Sequence, residues 1–510
     1  MSWHVADVTN RPNAPARTTI QAVANQDRLT GLDSSFLHLE RDAAHMHVAG
    51  CSVFIGSAPA YEDLLAAIDS RLHLVPRYRQ RLAFVPLHQG RPVWVDDPHF
   101  KLEYHVRHTA LPRPGGEDEL KRLAGRVFSQ ALDRTRPLWE LWLVEGLADG
   151  RFAVLSKTHH ALVDGISGVD IATVLFDASA EPLPVARPDH DWVARPLPSS
   201  AQLLADALLE RATVPGEVVR GVRATLRGPR TMATRAGRAL GSVSALTWTG
   251  LQAAPPSPFN VRIGPHRRFT WVQADLGRFK AIKNELGGTV NDVVLAVVAG
   301  GLGRYMRLHG SPTDGVELRA MVPVSVRADI ERGALGNRVA AMWATLPVGV
   351  ADPVARLQSV SGQMKGVKQS GQAVGAEILT RLSGFAPPTI MAQAARLQAR
   401  QRLFNLVVTN VPGPQFPLYL LGRELESIYP MVPLAENTAL GIAILSYNGE
   451  LNFGLVADYD ALGDVEVLAD ELRASLEELA AAAGVPSTPI PPAAPVNEGA
   501  PAGDTARAAQ

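Results

Sequence analysis

The stretch EPLPVARPDHDWVARPLP, residues 181–198, carries too many prolines to continue a helix or a central strand, and it interrupts a chain whose two flanks each mix strand and helix periods. Upstream, Leu64, Leu65, Ile68 and Leu72 recur at helical spacing until Pro76 stops the pattern. RPVWVDD and KLEYHVRHTAL alternate as half-buried strands do, and EDELKRLAGRVFSQAL returns to helical period. Downstream, a second cluster of breakers, AAPPSPFN, precedes further helices. There Thr289 and Asp292 have the spacing of a capping box, and Asn448-Gly449 between apolar runs marks a hairpin. The spacing predicts a helix from Val465 to Leu479. An α+β chain of two domains with an exposed connector follows, which suits 510 residues. The expected bounds are a disordered lead-in at 1–27, an N-terminal domain at 28–185, a Pro-rich and helical linker at 186–265, a C-terminal domain at 266–480 and a disordered Ala/Pro-rich tail at 481–510.

Within the linker, Arg211, Arg220, Arg223, Arg227, Arg230, Arg235 and Arg238 face few acids, a pattern that suits either an anionic membrane surface or a solvated helical connector. No stretch reaches the roughly 20 apolar residues of a spanning helix. Lys+Arg 50 against Asp+Glu 50 argues against a nucleic-acid partner, and the single cysteine, Cys51, rules out an internal disulfide or a cysteine-rich metal site.

The chemistry concentrates in SKTHHALVDG, residues 156–165. A short apolar run, Phe152 to Leu155, follows the turn Asp149-Gly150 as a buried strand, and a helix is expected from about Gly165. Two imidazoles thus stand at a strand-to-helix junction. Histidine accepts and returns protons near neutral pH, so His160 can serve as a general base. If a helical turn runs through the motif, Asp164 stands four residues on along the same face, free to hold an imidazole or to bind an arginine. Gly165 admits backbone conformations or close approaches that a side chain would forbid. His159 and His160 can equally be polar neighbours closing a strand. A metal site is not expected, because adjacent strand residues point to opposite faces. G-x-S-x-G, H-E-x-x-H and a P-loop are all absent from the sequence, and the GGLG at Gly300–Gly303 falls within a helical pattern.

The order of LTGLDSSFLHLE, MHVAG, RPLWELWLVEGL, HHALVDGISG, NDVVLAVVAGGL, RGALGNRV and TNVPGP resembles the bacterial wax ester synthase/diacylglycerol acyltransferase family. That family lies within the CoA-dependent acyltransferases of the chloramphenicol acetyltransferase type. The resemblance implies two α/β sandwich domains joined by a helical linker, with an active-site tunnel at their interface. It casts His160 as the base that deprotonates an acceptor hydroxyl, His159 as its support and Asp164 as an orienting residue. Asn291 and Asp292 would build the tunnel wall or steady an oxyanion, with helix capping the other reading of Asp292. Pro137, Leu138 and Trp139 would shape the acyl or acceptor pocket, with core packing the other reading. The implied co-substrate is long-chain acyl-CoA, with no further cofactor, and the acceptor is diacylglycerol or a fatty alcohol. The expected place is the cytoplasm, including the inner membrane face or lipid droplets. A different alcohol or amine acceptor, or a catalytically silent lipid-surface protein, are the alternatives.

Overall fold

The computed structural model describes residues 28–163, 174–181, 190–210, 253–325, 339–369 and 402–486. Helix α1 (Gly31–Leu39) is capped by Thr30, whose hydroxyl accepts the Asp33 N–H. Strand β1 (His47–Phe54), helix α2 (Tyr61–Arg71), strands β2 (Gln80–Ala83) and β3 (Val93–Asp96), and the single turn α3 (Leu102–His105) follow. Next come β4 (Val106–Ala110), α4 (Glu117–Ser129), β5 (Trp139–Glu145) and β6 (Phe152–His159), and α5 opens at His160 and is described to Val163. As the spacing requires, α2 buries Leu64 and Ile68, and Leu72 beyond its end is buried with them.

The second half contains β7 (Arg267–Asp275), α6 (Leu276–Leu286), α7 (Val290–Leu308), β8 (Leu318–Ser325), β9 (Val339–Leu346) and α8 (Pro353–Gln369). It continues with β10 (Leu406–Pro412), β11 (Tyr419–Leu420), β12 (Arg423–Met431), β13 (Leu440–Tyr447), β14 (Glu450–Asp458) and α9 (Val465–Ala482). Asn448 and Gly449, both with positive φ, make the two-residue turn joining β13 to β14. The GGLG segment packs inside α7, where a Cβ on Gly303 would come within 2.3 Å of the Val348 carbonyl oxygen.

Two six-stranded sheets result, ordered β11-β12-β1-β6-β5-β4 and β7-β14-β13-β10-β8-β9. The first sheet is not built from the first half alone. Residues 419–431, expected within a C-terminal domain of 266–480, lie on its edge, with Cys51 paired to Tyr429 and Val53 to Ser427. Satisfying the outer edge of β1 takes precedence over sequence proximity. The two sheets share an apolar core in which Cys51, Val53 and Leu155 of the first meet Phe128 of α4 and Phe269 and Trp271 of β7. A second cluster fills the opposite face of the first sheet with Phe54, Trp139, Phe152 and Val154. The alternation of Phe152 and Val154 with Ala153 and Leu155 between these clusters is the period of two that a strand imposes.

Two local expectations change. The start of KLEYHVRHTAL is a helical turn, because that turn brings the buried His105 beneath Trp139, where its ring stacks at 4.7 Å and Nδ1 meets the Trp139 carbonyl at 2.8 Å. The helix after the motif opens at His160 rather than near Gly165. The Arg-rich segment, the lead-in, residues 487–510 and the RGALGN turn lie outside the described residues.

Candidate active site

The motif histidines close β6 where it pairs with β1, His159 standing opposite His47. The His160 N–H still donates to the Met46 carbonyl at 2.9 Å, while the Ala161 N–H turns back to His159 Nδ1 at 3.0 Å. His159 therefore satisfies one of the free donors of the helix start, a task normally given to Ser, Thr, Asp or Asn, and this is why the helix begins early. Accepting at Nδ1 leaves the His159 hydrogen on Nε2, which donates it to Glu40 Oε2 at 2.6 Å. Burial works to raise the Glu40 carboxyl, but the hydrogen bond from His159 and the nearby Arg134 outweigh it and hold Glu40 below the ordinary carboxylate range.

His160 has different surroundings. Its ring stacks on Phe36 of α1 with centroids 4.5 Å apart and planes 13° apart, and its buried Nδ1 has no hydrogen-bond partner among the described residues. Burial, with the neighbouring His159 adding to it, pushes the imidazole down to about 4, so the ring is neutral at pH 7. Nε2 is the ring's other nitrogen. As an acceptor it requires the ring's own hydrogen to be on Nδ1.

Behind the pair, the C-terminal carbonyls of α4 are taken by side chains of the first sheet. Lys157 Nζ donates to Val127 O at 3.2 Å and Gln130 O at 3.0 Å, and it pairs with Glu140 at 3.3 Å. His47 meets Phe128 O through Nε2 at 3.0 Å. Cationic and N–H groups at a helix C-terminus complement its dipole and free carbonyls. Burial lowers both Lys157 and His47, with Glu140 opposing it at Lys157.

Leu138 and Trp139 adjoin the motif, since the Leu138 carbonyl accepts the His159 N–H at 3.0 Å. Both side chains are core, and the Trp139 indole donates to the Tyr78 carbonyl at 2.8 Å. Pro137 and Trp139 border a cavity of about 260 Å³ with Tyr104, Arg107, Arg136 and Glu140 on its other walls. Asp292 makes the capping box, accepting the Thr289 N–H at 2.8 Å while Thr289 accepts its own. Asn291 accepts from Asn410 Nδ2 at 3.2 Å, which joins the start of α7 to β10. Asp164 and Gly165 lie outside the described residues. Sequence reasoning left Glu40, Phe36 and Lys157 without roles. Glu40 closes the quoted LTGLDSSFLHLE stretch, but nothing in its spacing announces a histidine far along the chain.

Comparisons with known proteins identify the family. The model of the wax ester synthase/diacylglycerol acyltransferase catalytic domain matches residues 29–294, and that of the WS/DGAT C-terminal domain matches residues 335–480. A Mycobacterium tuberculosis protein named as a diacylglycerol O-acyltransferase is 34% identical over 472 residues, covering 89% of this chain and 90% of its own. A second from that organism is 36% identical over 465 residues, covering 89% and 98%. The solved wax ester synthase/diacylglycerol acyltransferase from Marinobacter aquaeolei VT8 superposes with a TM-score of 0.62 at 30% identity, over 90% of this chain and 100% of that one. The starter condensation domain of rhizomide synthetase, at 14% identity and a TM-score of 0.53 over 91% and 96%, shares the fold. With both family models matched and relatives about a third identical along most of its length, the chain belongs to the wax ester synthase/diacylglycerol acyltransferase family of acyltransferases.

Proposed function

We propose that this protein esterifies diacylglycerol to triacylglycerol with long-chain acyl-CoA as co-substrate and no further cofactor, His160 acting as general base. The carrying observation is the neutral, half-buried imidazole at the β6 end, stacked on Phe36 and supported by the Glu40-bound His159. The acceptor hydroxyl gives its proton to His160 Nε2 as its oxygen attacks the thioester carbonyl. The tetrahedral intermediate then collapses, the C–S bond breaks, and the imidazolium returns the proton to the departing thiolate. Positive charge on the ring is unfavourable in this apolar setting until the negative charge of the intermediate develops beside it, so the ring is stabilised as an acid only when it is needed. Asn291, at the start of α7, is the proposed aid to that oxyanion, and Asp164 the proposed orienting group of the motif.

Both substrates are lipids, which supports action at a membrane or droplet surface on the cytoplasmic side. No single helix among the described residues is long and apolar enough to cross a membrane. The family name also carries wax ester synthesis, which supports fatty alcohols as a second acceptor class. Purified protein given labelled palmitoyl-CoA with diacylglycerol, a fatty alcohol or neither tests the reading. Triacylglycerol is the expected major product, and His160→Ala is expected to lower its rate by roughly 10² or more. Undiminished turnover in that variant refutes the base, and product only with the fatty alcohol refutes the acceptor.

A further inference from the structure

One short segment, residues 40–47, grips both motif histidines, one from each of its ends. Glu40, the C-cap of α1, binds His159 at 2.6 Å, and the Met46 carbonyl accepts the His160 N–H at 2.9 Å. The Glu40 N–H also closes α1 on the Phe36 carbonyl at 3.0 Å, and the Phe36 ring covers His160. Between the two ends the chain folds back on itself. Arg41 and Ala44 exchange N–H to carbonyl bonds of 3.1 and 2.7 Å, with Asp42 at φ 44°. At the apex of this turn the Ala43 carbonyl accepts from Nη2 of Arg267, the first residue of β7 in the second half. The same guanidinium is fixed to its own half. Nη1 donates to the Gly264 carbonyl at 2.6 Å and to the His266 carbonyl at 2.9 Å, and it lies 3.8 Å from the Asp458 carboxylate at the end of β14. The Arg267 N–H donates to Ser129 Oγ at the end of α4, at 2.8 Å.

Arg267 is buried, and its one ion-pair partner among the described residues, Asp458, stands beyond hydrogen-bond range. A buried guanidinium is costly, and an apolar side chain would fill the same space at less cost. What Arg267 adds is a planar fork of donors, which reaches carbonyls of two separate segments at once. A loop closed by its own turn and held at its apex and both ends has few conformations left to it. Ala44 and Met46 are buried in the same core as Phe269 of β7, so packing reinforces the grip.

Building on the assignment of His160 as the base, we infer that Arg267 is a positioning residue for it, locking the 40–47 segment from the second half so that Glu40 and Met46 set His159 and His160 at the end of β6. The path from Arg267 to the two imidazoles runs only through the Ala43 carbonyl, the chain of residues 40–47 and the bonds to His159 and His160. Arg267 touches no reacting atom, so its removal acts on the rate more than on acyl-CoA binding.

The test compares Arg267→Ala and Arg267→Lys with Arg278→Ala in the full chain, with His160→Ala alongside. Arg278 is the matched control, a buried arginine of the second half that binds Glu477 at 2.6 and 2.8 Å. The readouts are kcat per folded molecule, KM for palmitoyl-CoA, the thermal midpoint and the downfield proton signal of the His159 Nε2–H, identified by its loss in His159→Gln. Arg267→Ala is expected to lower kcat about 10- to 100-fold with KM within about twofold, and to shift or broaden that signal. Arg267→Lys keeps the charge but cannot span the two segments, so an intermediate rate is expected. Arg278→Ala is expected to lower the midpoint alone. A wild-type kcat or an unmoved signal in Arg267→Ala overturns the inference, as does a loss of kcat no larger than that of Arg278→Ala at equal destabilisation. If Arg267→Ala fails to fold, the same readouts on Arg267→Lys decide, and a wild-type rate or signal there overturns it. Full activity in His160→Ala withdraws the base assignment. Whether Arg267 holds the motif is then read from the His159 signal alone, and an unmoved signal in Arg267→Ala overturns that separately.

Discussion

Glu40 Oε2 lies 2.6 Å from His159 Nε2, so the first histidine of the motif is spent on two structural bonds, one to this carboxylate and one from the Ala161 N–H. The second has a buried Nδ1 with no hydrogen-bond partner among the described residues, and an aromatic neighbour. The division of labour between two adjacent, chemically identical side chains follows from these partners.

Replacing Glu40 with Ala would strand the Nε2–H of His159 in a buried site and remove a partner of Arg134. A loss of about 1–3 kcal/mol is expected in urea unfolding. Because the Glu40 carboxyl is held below its ordinary range in the fold, its contribution is full above that range and disappears as pH falls through the folded value. The wild-type advantage over Glu40→Ala should therefore shrink in acid, and a difference independent of pH would contradict it.

His160 is neutral down to about pH 4 in the fold, against an ordinary 6.5. The rate profile of kcat/KM should accordingly show no acid inflection near 6.5 and should fall only toward pH 4. Stability follows the same sign: between 6.5 and 4 the unfolded chain takes up the proton first, so folding loses free energy as pH drops. Replacing His160 with Asn should flatten that part of the stability curve.

Thr289→Ala separates capping from catalysis at the start of α7. Loss of the hydroxyl that accepts the Asp292 N–H should cost about 1 kcal/mol while leaving kcat close to wild type. If Asp292→Ala destabilises to a similar degree but abolishes turnover of the folded protein, Asp292 has a role beyond the cap. Parallel, small effects in both variants would assign it to the cap alone.

A Cβ at Gly454 would lie 1.8 Å from the Pro430 carbonyl oxygen, where β14 passes β12. Gly454→Ala should force these strands apart and destabilise by about 1–3 kcal/mol, read as a lowered unfolding midpoint. Wild-type stability would show that the strand of the second half is not closely seated.

At the far end of α7, His309 places Nδ1 on the Tyr305 carbonyl and Nε2 on Asp464, both at 2.8 Å, so both ring nitrogens face acceptors. The Tyr305 carbonyl bond, together with the hydrogen bond and charge of Asp464, raises its pKa against the opposing effect of burial. The stabilisation is therefore present below pH 6.5 and lost as pH rises through the folded value. An NMR titration of His309 showing a midpoint at or below 6.5 would contradict this.

Periodicity and punctuation in the sequence were enough to define local elements. The spacing of Leu64, Ile68 and Leu72 set the buried face of α2, Asn448-Gly449 set the turn between β13 and β14, Thr289 and Asp292 set the start of α7, and the motif order gave the family. These are short-range matters of turn geometry, capping and side-chain period, which a residue settles with its near neighbours. Tertiary structure alone decided that residues 419–431 complete the first sheet, that His159 finds Glu40, and that Asp177 meets Arg71 and Tyr419. Those partners lie far apart along the chain, and nothing local selects them. They meet because an open strand edge, a buried N–H and a buried carboxylate each need a partner, and only the assembled fold supplies it.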